Sequence, residues 1–335
     1  MLDLSNKKIL IVKPSSLGDI IHTLPVLHNL KKSAPSSHIH WLIDEDFKNI
    51  LEAHPLITKL WFFKKEAWKK PSQLLKTSRE VLALRKNLIQ EKFDVVIDIQ
   101  GLLRSALFTY LTKSKIRIGF LDAREKLSAL FYNIKITGGK PIHAVERYLK
   151  LLSPLGINKY EIEFPLPAPK NTFKKTCPYY VVVPGARWAT KRWPSYYFIE
   201  LIKKINKKAI IIGSSQDREI AQKICHAVPE FTLDLSDQTS LQDLISIIKQ
   251  AQFVIGNDTG PIHIAAALKI PVYALFGSTN PLRTGPYGHS DKVFNISLPC
   301  APCFKKTCYQ KGNQHLSCLK QLTPQDVYQK IINIL

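Results

Sequence analysis

Short apolar runs alternate with amphipathic stretches along the whole chain, a pattern typical of strands and helices in a parallel sheet. In the first half, the predicted strands are residues 8–12, 39–43 and 95–99, and helical periodicity covers 20–32 and 72–92. In the second half, the predicted strands are 179–183, 209–212, 253–255 and 272–276, with helices from Ser195 and Gln216, over 240–249 and after Pro261. This alternation predicts an α/β protein with two Rossmann-like, doubly wound domains.

A proline-rich segment separates the two halves. It contains Pro165, Pro167, Pro169 and Pro178 and shows neither helical nor strand periodicity. The sequence therefore predicts one domain over 1–165, a linker over 166–178 and a second domain over 179–335. Because ligands of open parallel sheets bind at the carboxyl ends of the strands, we expect the two domains to face each other across a cleft.

Charge and composition limit the class of protein. The 335 residues include 48 Lys and Arg against 26 Asp and Glu, a net charge of +22, and 45% are hydrophobic, which excludes a disordered chain. No apolar run approaches the roughly 18 residues of a spanning helix, and the N-terminus lacks the order of a signal peptide. The sequence predicts a cytoplasmic protein, without a Walker A or GxGxxG motif.

The loop after the first predicted strand contains a candidate catalytic group. Gly18 permits a tight turn, and Asp19 falls where the next helix begins. Such an aspartate is often only a helix cap, but a single carboxylate at the edge of a cleft would also suit the deprotonation of a hydroxyl nucleophile. His22, in the first turn of the same helix, is expected to be a packing residue.

Three loops of the second half are suited to a phosphorylated ligand. Gly185, Lys191 and Arg192 precede a predicted helix, which is typical of an anion site, although basic loops are common on so basic a chain. Asp217 could bind a ribose hydroxyl or only interact with a helix dipole. The loop 256–263 suits pyrophosphate, because glycine lets the backbone approach and proline presets a helical turn; a capped helix alone would leave one residue, His263, unexplained.

The segment 59–92 is basic and aromatic. It has ten Lys or Arg residues and three Glu, with Trp61, Phe62, Phe63 and Trp68 interleaved. Cations beside exposed aromatic rings are expected to bind an anionic, partly apolar surface such as phospholipid headgroups. Nucleic acid, or a solvated helix face over a core of Leu74, Leu75, Val81 and Leu88, would give the same composition.

Four of the six cysteines, Cys300, Cys303, Cys308 and Cys318, fall within nineteen residues. Their spacing could close a small zinc site, but a second C-x2-C pair is absent and lysines lie among the thiols. A loop with packed thiols is the alternative, and no metal is assigned.

Five segments, 9–25, 93–106, 123–133, 143–147 and 257–268, resemble the family 9 glycosyltransferases. The resemblance implies a GT-B fold, in which an acceptor domain precedes a nucleotide-sugar domain, and an inverting transfer without metal or cofactor. It also implies transfer of heptose from ADP-heptose to the 3-deoxy-D-manno-octulosonic acid (Kdo) of Kdo2-lipid A, at the anionic cytoplasmic face of the inner membrane and without nucleic acid.

The resemblance also implies roles for individual residues. Asp19 matches the general base of the family, and Arg124 matches a position that contacts the acceptor carboxylate. Relatives favour arginines where this chain has Lys64 and Lys65. The residues that match donor-binding positions are Lys191, Asp217, Asp258, Thr259, Gly260 and His263.

Other functions remain open at this stage. Within the family, the segment 191–194 and the cysteines favour the branch that extends a heptose, whereas the N-terminal motifs favour transfer to Kdo. A sugar-nucleotide epimerase would need no lipid acceptor, and a nucleic-acid-binding protein would use only the charge.

Overall fold

The computed structural model of the protein describes residues 2–64, 74–139, 142–168, 173–174 and 177–332. The chain divides into two compact units, Met1–Pro167 and Ala168–Leu335. The boundary falls within 166–178, the segment for which the sequence predicts a linker. Parts of that segment, 169–172 and 175–176, lie outside the described residues.

The first unit is one parallel sheet with helices between its strands. Its strand order is β3-β2-β1-β4-β5-β6, the order of a doubly wound Rossmann sheet. The strands are β1 (Lys8–Val12), β2 (His38–Asp44), β3 (Lys59–Phe63), β4 (Val95–Asp98), β5 (Ile116–Phe120) and β6 (Ile134–Ile136), and the helices are α1 (Leu17–Ser33), α2 (Leu74–Gln90), α3 (Leu103–Leu111) and α4 (Ala144–Leu149).

The second unit repeats this topology. Its order is β12-β11-β10-β7-β8-β9, which in chain order within the unit is again third, second, first, fourth, fifth and sixth, read from the other edge. The strands are β7 (Tyr180–Val183), β8 (Ala209–Ile211), β9 (Thr232–Asp234), β10 (Val254–Asn257), β11 (Val272–Phe276) and β12 (Val293–Asn295), and the helices are α5 (Ser195–Ile205), α6 (Arg218–Ala227), α7 (Leu241–Lys249), α8 (Gly260–Ala267), α9 (Pro281–Thr284), α10 (Ser317–Lys320) and α11 (Pro324–Ile331).

The central strands read as continuous apolar runs because helices cover both faces of each sheet. All residues of β7, β10 and β11 are buried. Gly256 lies in β10 where a Cβ atom would overlap Val183 of β7, so a glycine is needed for the close pairing of these two strands. The carboxyl ends of β7 and β10 are thereby held close together.

The prediction of exposed aromatic rings in 59–92 is wrong for Trp61 and Phe63. Residues 59–63 form the edge strand β3, whose alternation buries Trp61 and Phe63 and leaves Phe62 exposed. The Trp61 indole N–H donates to Nδ1 of His40 at 3.1 Å. Leu75, expected in the helix core, is 79% exposed. Trp68 and Lys65 lie outside the described residues, and within the described ranges no helix is long and apolar enough to cross a membrane.

Candidate active site

Asp19 lies in the first turn of α1, and its two carboxylate oxygens have different neighbours. Oδ2 accepts hydrogen bonds from the backbone N–H of Ser16 at 3.0 Å and from the Ser16 hydroxyl at 2.7 Å, which is a helix-capping arrangement. Oδ1 accepts a hydrogen bond from the Tyr148 hydroxyl at 3.0 Å and lies 3.8 Å from Nζ of Lys13. One oxygen therefore caps the helix, while the other belongs to a charged cluster.

Lys13 is the cation that controls this cluster. It follows β1 directly, its side chain is only 3% exposed, and Nζ donates to the Tyr148 hydroxyl at 3.2 Å. Burial raises the pKa of Asp19, but the Lys13 ammonium and the two hydrogen bonds from Ser16 outweigh it, so the pKa lies well below its usual range. Asp19 is thus ionised at neutral pH, and at 30% exposure it remains accessible.

His22 packs against a second histidine beside this cluster. The rings of His22 and His143 meet edge to face with centroids 5.0 Å apart. Nδ1 of His143 accepts the N–H of Val145 and so begins α4, the helix that carries Tyr148. The two rings support the helices on which Asp19 and Tyr148 lie.

Two arginines lie within electrostatic reach of Lys13. Arg124 is exposed, and the charges of Arg147 and Arg124 both lower the pKa of Lys13, after the larger effect of burial. The Arg147 guanidinium is held by Asp122 at 2.9 Å and lies 4.0 Å from the centroid of the Phe120 ring. Arg124 is the exposed cation of the pair, and therefore the one that can meet an acceptor.

The predicted acceptor lysines receive less support from the geometry. Nζ of Lys64 lies 3.5 Å from the Glu80 carboxylate, so part of its charge is compensated within the unit. The second lysine, at position 65, lies outside the described residues.

A second aspartate of this unit, Asp98, ends β4 and is fully buried. Its Oδ1 accepts hydrogen bonds from the backbone N–H groups of Gln100 and Gly101, and its Oδ2 accepts one from the Tyr132 hydroxyl at 2.7 Å. Burial raises the pKa of Asp98 despite these bonds. Its oxygens shape the turn after β4 instead of facing solvent.

In the second unit, Lys191 and Asp258 form an ion pair. Nζ of Lys191 lies 2.5 Å from Oδ2 of Asp258, and the Thr279 hydroxyl donates to the same oxygen at 2.5 Å. Nε2 of His263 lies 3.9 Å from Oδ1. Burial raises the pKa of Asp258, but His263 and Lys191 outweigh it, so the pKa is lowered. The cluster joins four residues from the loops after β7, β10 and β11.

The loops after β7 and β10 are joined by one side chain. The amide of Asn257 donates to the carbonyl oxygen of Pro184 at 2.7 Å and accepts the backbone N–H of Trp193 at 3.0 Å. Thr259 then enters α8 in an extended conformation, and Gly260 is its first helical residue. The first N–H groups of a helix have no partner within it, so this end of α8 suits an anion.

Asp217 repeats the capping arrangement of Asp19. Its Oδ2 accepts the backbone N–H of Ser214 at 3.0 Å and the Ser214 hydroxyl at 2.7 Å, and its Oδ1 lies 3.9 Å from the Arg192 guanidinium. A Cβ atom at Gly185 would overlap the Asp217 carboxylate. The glycine after β7 is therefore required for this aspartate to lie against the loop.

The cysteine loop packs against the loop that carries Lys191. The Thr190 hydroxyl donates to the carbonyl oxygen of Lys305 at 2.5 Å, one residue from Lys191. Burial, and then the thiols of Cys300, Cys303 and Cys308, raise the pKa of Cys318 to about 11. The six cysteines are free, and among the residues that the structure describes no three His, Cys, Asp or Glu side chains are grouped to hold a metal ion.

Four residues of these clusters have no role in the sequence-based predictions: Lys13, Tyr148, Asn257 and Thr279. Lys13 and Asn257 are adjacent to predicted strand ends, which is a usable signal. Tyr148 and Thr279 reach their partners across 129 and 21 residues of sequence, and no local pattern indicates such contacts.

Two Rossmann-type sheets, each with charged residues after the carboxyl ends of its strands, form the GT-B fold. The profile of glycosyltransferase family 9 (heptosyltransferase) matches residues 81–313. The chain is 33% identical to lipopolysaccharide heptosyltransferase 1 of Pseudomonas aeruginosa, over 96% of each chain. The chain belongs to glycosyltransferase family 9.

Solved structures agree with this assignment. The Escherichia coli heptosyltransferase WaaC, solved with ADP, superposes with a TM-score of 0.78 at 28% identity, covering 98% of this chain and 100% of that one. The E. coli ADP-heptose lipopolysaccharide heptosyltransferase II superposes at 0.76 with 21% identity over 98% of each chain, and shows the shared fold alone.

Proposed function

We propose that this protein is an inverting heptosyltransferase that moves heptose from ADP-heptose to the Kdo of Kdo2-lipid A, in the synthesis of the lipopolysaccharide inner core. The relative in P. aeruginosa is named lipopolysaccharide heptosyltransferase 1, and the structure of the E. coli relative was solved with ADP. Membership of the glycosyltransferase family argues against the epimerase and against a protein that only binds nucleic acid.

One observation carries the proposed chemistry: a buried lysine keeps Asp19 ionised while the Asp19 side chain remains 30% exposed. Asp19 takes the proton of an acceptor hydroxyl, whose oxygen forms a bond to the anomeric carbon of the heptose. The bond from that carbon to the diphosphate breaks on the opposite face, and ADP leaves with the electron pair. Asp19 afterwards returns its proton to water.

In the second unit, Lys191 stabilises the negative charge that develops on the diphosphate. Before the donor binds, Asp258 holds the Lys191 ammonium in place; the phosphate oxygens then share it, together with the first amides of α8 at Gly260. His263 and Thr259 complete the donor site around the heptose and the diphosphate. Asp217 binds the ribose through Oδ1, the oxygen that does not cap its helix.

In the first unit, Arg124 pairs with the Kdo carboxylate, because a guanidinium matches a planar anion through two hydrogen bonds. Lys64 and Lys65 add charge for the acceptor phosphates. Since this acceptor is a glycolipid, the protein would act as a peripheral protein at the anionic cytoplasmic face of the inner membrane.

The test is a transfer assay with purified protein, ADP-heptose and two acceptors, one ending in Kdo and one ending in heptose, with the products weighed by mass spectrometry. We expect heptose to be added to the Kdo acceptor by the wild type and not by Asp19→Asn. Addition only to the heptose acceptor would instead support the branch that extends a heptose, which the Lys191-Arg192-Trp193-Pro194 segment and the cysteine loop favour. Transfer to neither acceptor would contradict the proposal.

A further inference from the structure

The solvent-facing side of α3 is apolar. Leu103, Leu107 and Tyr110 are 42%, 44% and 52% exposed, and at spacings of four and three residues they share one helix face. The buried side of the same helix contains Ser105 and Thr109 beside Ala106 and Phe108. An ordinary surface helix has its polar residues outside and its apolar residues inside. This helix shows large apolar side chains to the solvent instead.

The neighbouring 3-10 segment, Lys126–Phe131, has the same inverted pattern. Leu127 and Leu130 are 64% and 74% exposed, while Ser128 and Ala129 are buried. With three residues per turn, Leu127 and Leu130 lie on one side of the segment. Isolated exposed leucines are common, but two adjacent elements with leucines outside and serines inside are not explained by the needs of folding.

Direct contacts hold these two elements side by side. The backbone N–H of Leu103 donates to the Glu125 carboxylate at 2.6 Å, at one end of α3. At the other end, the Tyr110 ring meets Phe131 with centroids 5.7 Å apart. Between these contacts, Ala106 and Ala129 belong to one buried cluster. The exposed side chains therefore form one patch, here named the leucine surface: Leu103, Leu107, Tyr110, Leu127 and Leu130.

The segment that carries the leucine surface is rich in exposed cations. Between 103 and 135, six Lys or Arg residues are exposed, against one exposed acidic residue, Glu125; the six are Arg104, Lys113, Lys115, Arg124, Lys126 and Lys135. The Arg117 guanidinium also lies 5.5 Å from the Tyr110 ring centroid. Exposed leucines on a segment with an excess of cations match a bilayer of anionic lipids, whose acyl chains accept leucines and whose headgroups attract lysines.

We propose that the leucine surface inserts into an anionic phospholipid bilayer and holds the first unit on the membrane. This deepens the proposed function and rests on it in one respect, that a lipid-borne acceptor is reached at a membrane. Arg124, the residue proposed to bind the acceptor carboxylate, is exposed and lies three residues before Leu127 in the chain. The protein would therefore meet the sugar where it emerges from the lipid.

Vesicle co-sedimentation of the full chain tests this proposal. Wild type is compared with Leu107→Ser/Leu130→Ser, on vesicles of phosphatidylethanolamine with phosphatidylglycerol and on vesicles of phosphatidylcholine alone. We expect wild type to bind the anionic vesicles. The double variant should bind them at least about tenfold more weakly. The matched control, Leu233→Ser/Leu282→Ser, changes two equally exposed leucines of the second unit and should bind as wild type does.

The salt dependence separates insertion from charge attraction. At about 1 M salt, where the Debye length is only about 3 Å, the difference between wild type and the double variant should persist, because it does not come from charge. Equal binding of wild type and the double variant, at low salt as well as at this high salt concentration, would overturn the proposal. A wild-type dimer that the double variant converts to monomer in gel filtration would also overturn it, in favour of an interface between two copies.

Activity measurements distinguish this proposal from the proposed function. The double variant should retain wild-type transfer to a short water-soluble Kdo acceptor and lose at least about tenfold on a vesicle-borne acceptor. If wild type transfers to no acceptor, the proposed function fails, yet the vesicle experiment still decides the leucine surface. Wild-type transfer to the water-soluble acceptor also confirms that the first unit of the double variant is folded.

Discussion

The two units share a strand order, and each places a buried aspartate where its fourth strand ends. In the first unit this is Asp98, whose hydrogen-bond donors are two backbone amides and the Tyr132 hydroxyl. In the second it is Asp258, which contacts Lys191 at 2.5 Å. Burial raises the pKa of Asp98, whereas in Asp258 the neighbouring His263 and Lys191 reverse that effect.

The difference shows that the neighbours of a buried carboxylate decide its use. Neutral donors hold the carboxylate of Asp98 as part of a turn. Burial lowers the pKa of Lys13, and the charge of Asp98 acts against this effect. Lys191 makes Asp258 one half of a charged pair, and an anionic ligand can take the place of Asp258 beside the lysine. Topology alone therefore does not identify a functional aspartate in this fold.

Asp19 and Asp217 extend the comparison. Both cap a helix with one oxygen and face a cation with the other, at 3.8 Å and 3.9 Å. The cation beside Asp19 is the buried Lys13, whereas Arg192 beside Asp217 is 36% exposed and screened by water. The same capping motif thus faces a buried cation in the first unit and a water-screened cation in the second.

The largest expected effect is that of Asp19→Asn. The amide keeps the size and one capping oxygen but cannot take a proton, so kcat should fall about 10³-fold. Affinity for ADP, measured by calorimetry, should not change, because that site is assigned to the second unit. Asp217→Asn is the matched control and should reduce kcat far less. Transfer by Asp19→Asn within about tenfold of wild type would remove the base assignment.

Lys191→Met should lower kcat/KM about 10²-fold and weaken ADP binding, because the developing charge of the diphosphate loses its cation. Lys204→Met serves as the control, since Lys204 pairs with Glu200 on the surface of α5. Steady-state kinetics and calorimetry measure both quantities. Equal behaviour of the two variants would contradict the donor role of Lys191.

The comparison of Asp98 with Asp258 is tested by the same substitution at both positions. Asp258→Asn should reduce kcat/KM by about tenfold, because Lys191 loses the charge that holds it. Asp98→Asn should leave kcat/KM within about twofold, since the amide oxygen can still accept the N–H groups of Gln100 and Gly101. Similar losses in both variants would show that the two aspartates do not differ in use.

Asp98→Asn should also change the dependence of stability on pH. With a raised pKa, the folded protein binds the Asp98 proton more tightly than the unfolded chain does. This aspartate therefore lowers the free energy of unfolding as pH rises from about 4 upward through the raised pKa. Urea unfolding at several pH values should show that the decline becomes smaller in the variant. An unchanged decline would show that Asp98 does not titrate in this window.

The smallest expected effect is that of Tyr148→Phe. The Tyr148 hydroxyl donates to Oδ1 of Asp19, so its loss removes stabilisation from the ionised carboxylate and should raise the pKa of Asp19. The acid limb of the kcat/KM profile should move to higher pH, with little change near pH 8. Tyr197→Phe, which removes a hydrogen bond to the carbonyl oxygen of Lys320 in the second unit, should leave the profile unchanged. Coincident profiles would exclude a positioning role for Tyr148.

The sequence predicts the buried strands well, because central strands of a parallel sheet are continuous apolar runs; β1 and β11 begin and end where the pattern does. Edge strands are short and polar on one side. For this reason β3 is not predicted, because its segment is interpreted by its charge. The burial of Trp61 and Phe63 cannot be predicted without the neighbouring β2.

For the candidate site, sequence reasoning identified residues at strand ends but not the contacts between them. Asp19 and Lys191 follow predicted strands and were found in that way. Their partners Tyr148 and Thr279 come from distant segments, and only the folded sheet brings them within hydrogen-bond distance. The charge state of Asp19 depends on such a contact, with a lysine whose burial no local pattern shows.

Asn257 gives the donor loops a common support. The Asn257 side chain has no solvent exposure and lies at the end of β10, the strand that leads into α8. It binds both Pro184, at the start of the loop after β7, and Trp193, at the far end of the same loop. An aspartate there would set a carboxylate oxygen against the carbonyl oxygen of Pro184 and push the loops apart. The proposed recognition of two linked phosphates requires a fixed spacing between a lysine and a helix end, and Asn257 holds that spacing from inside the sheet.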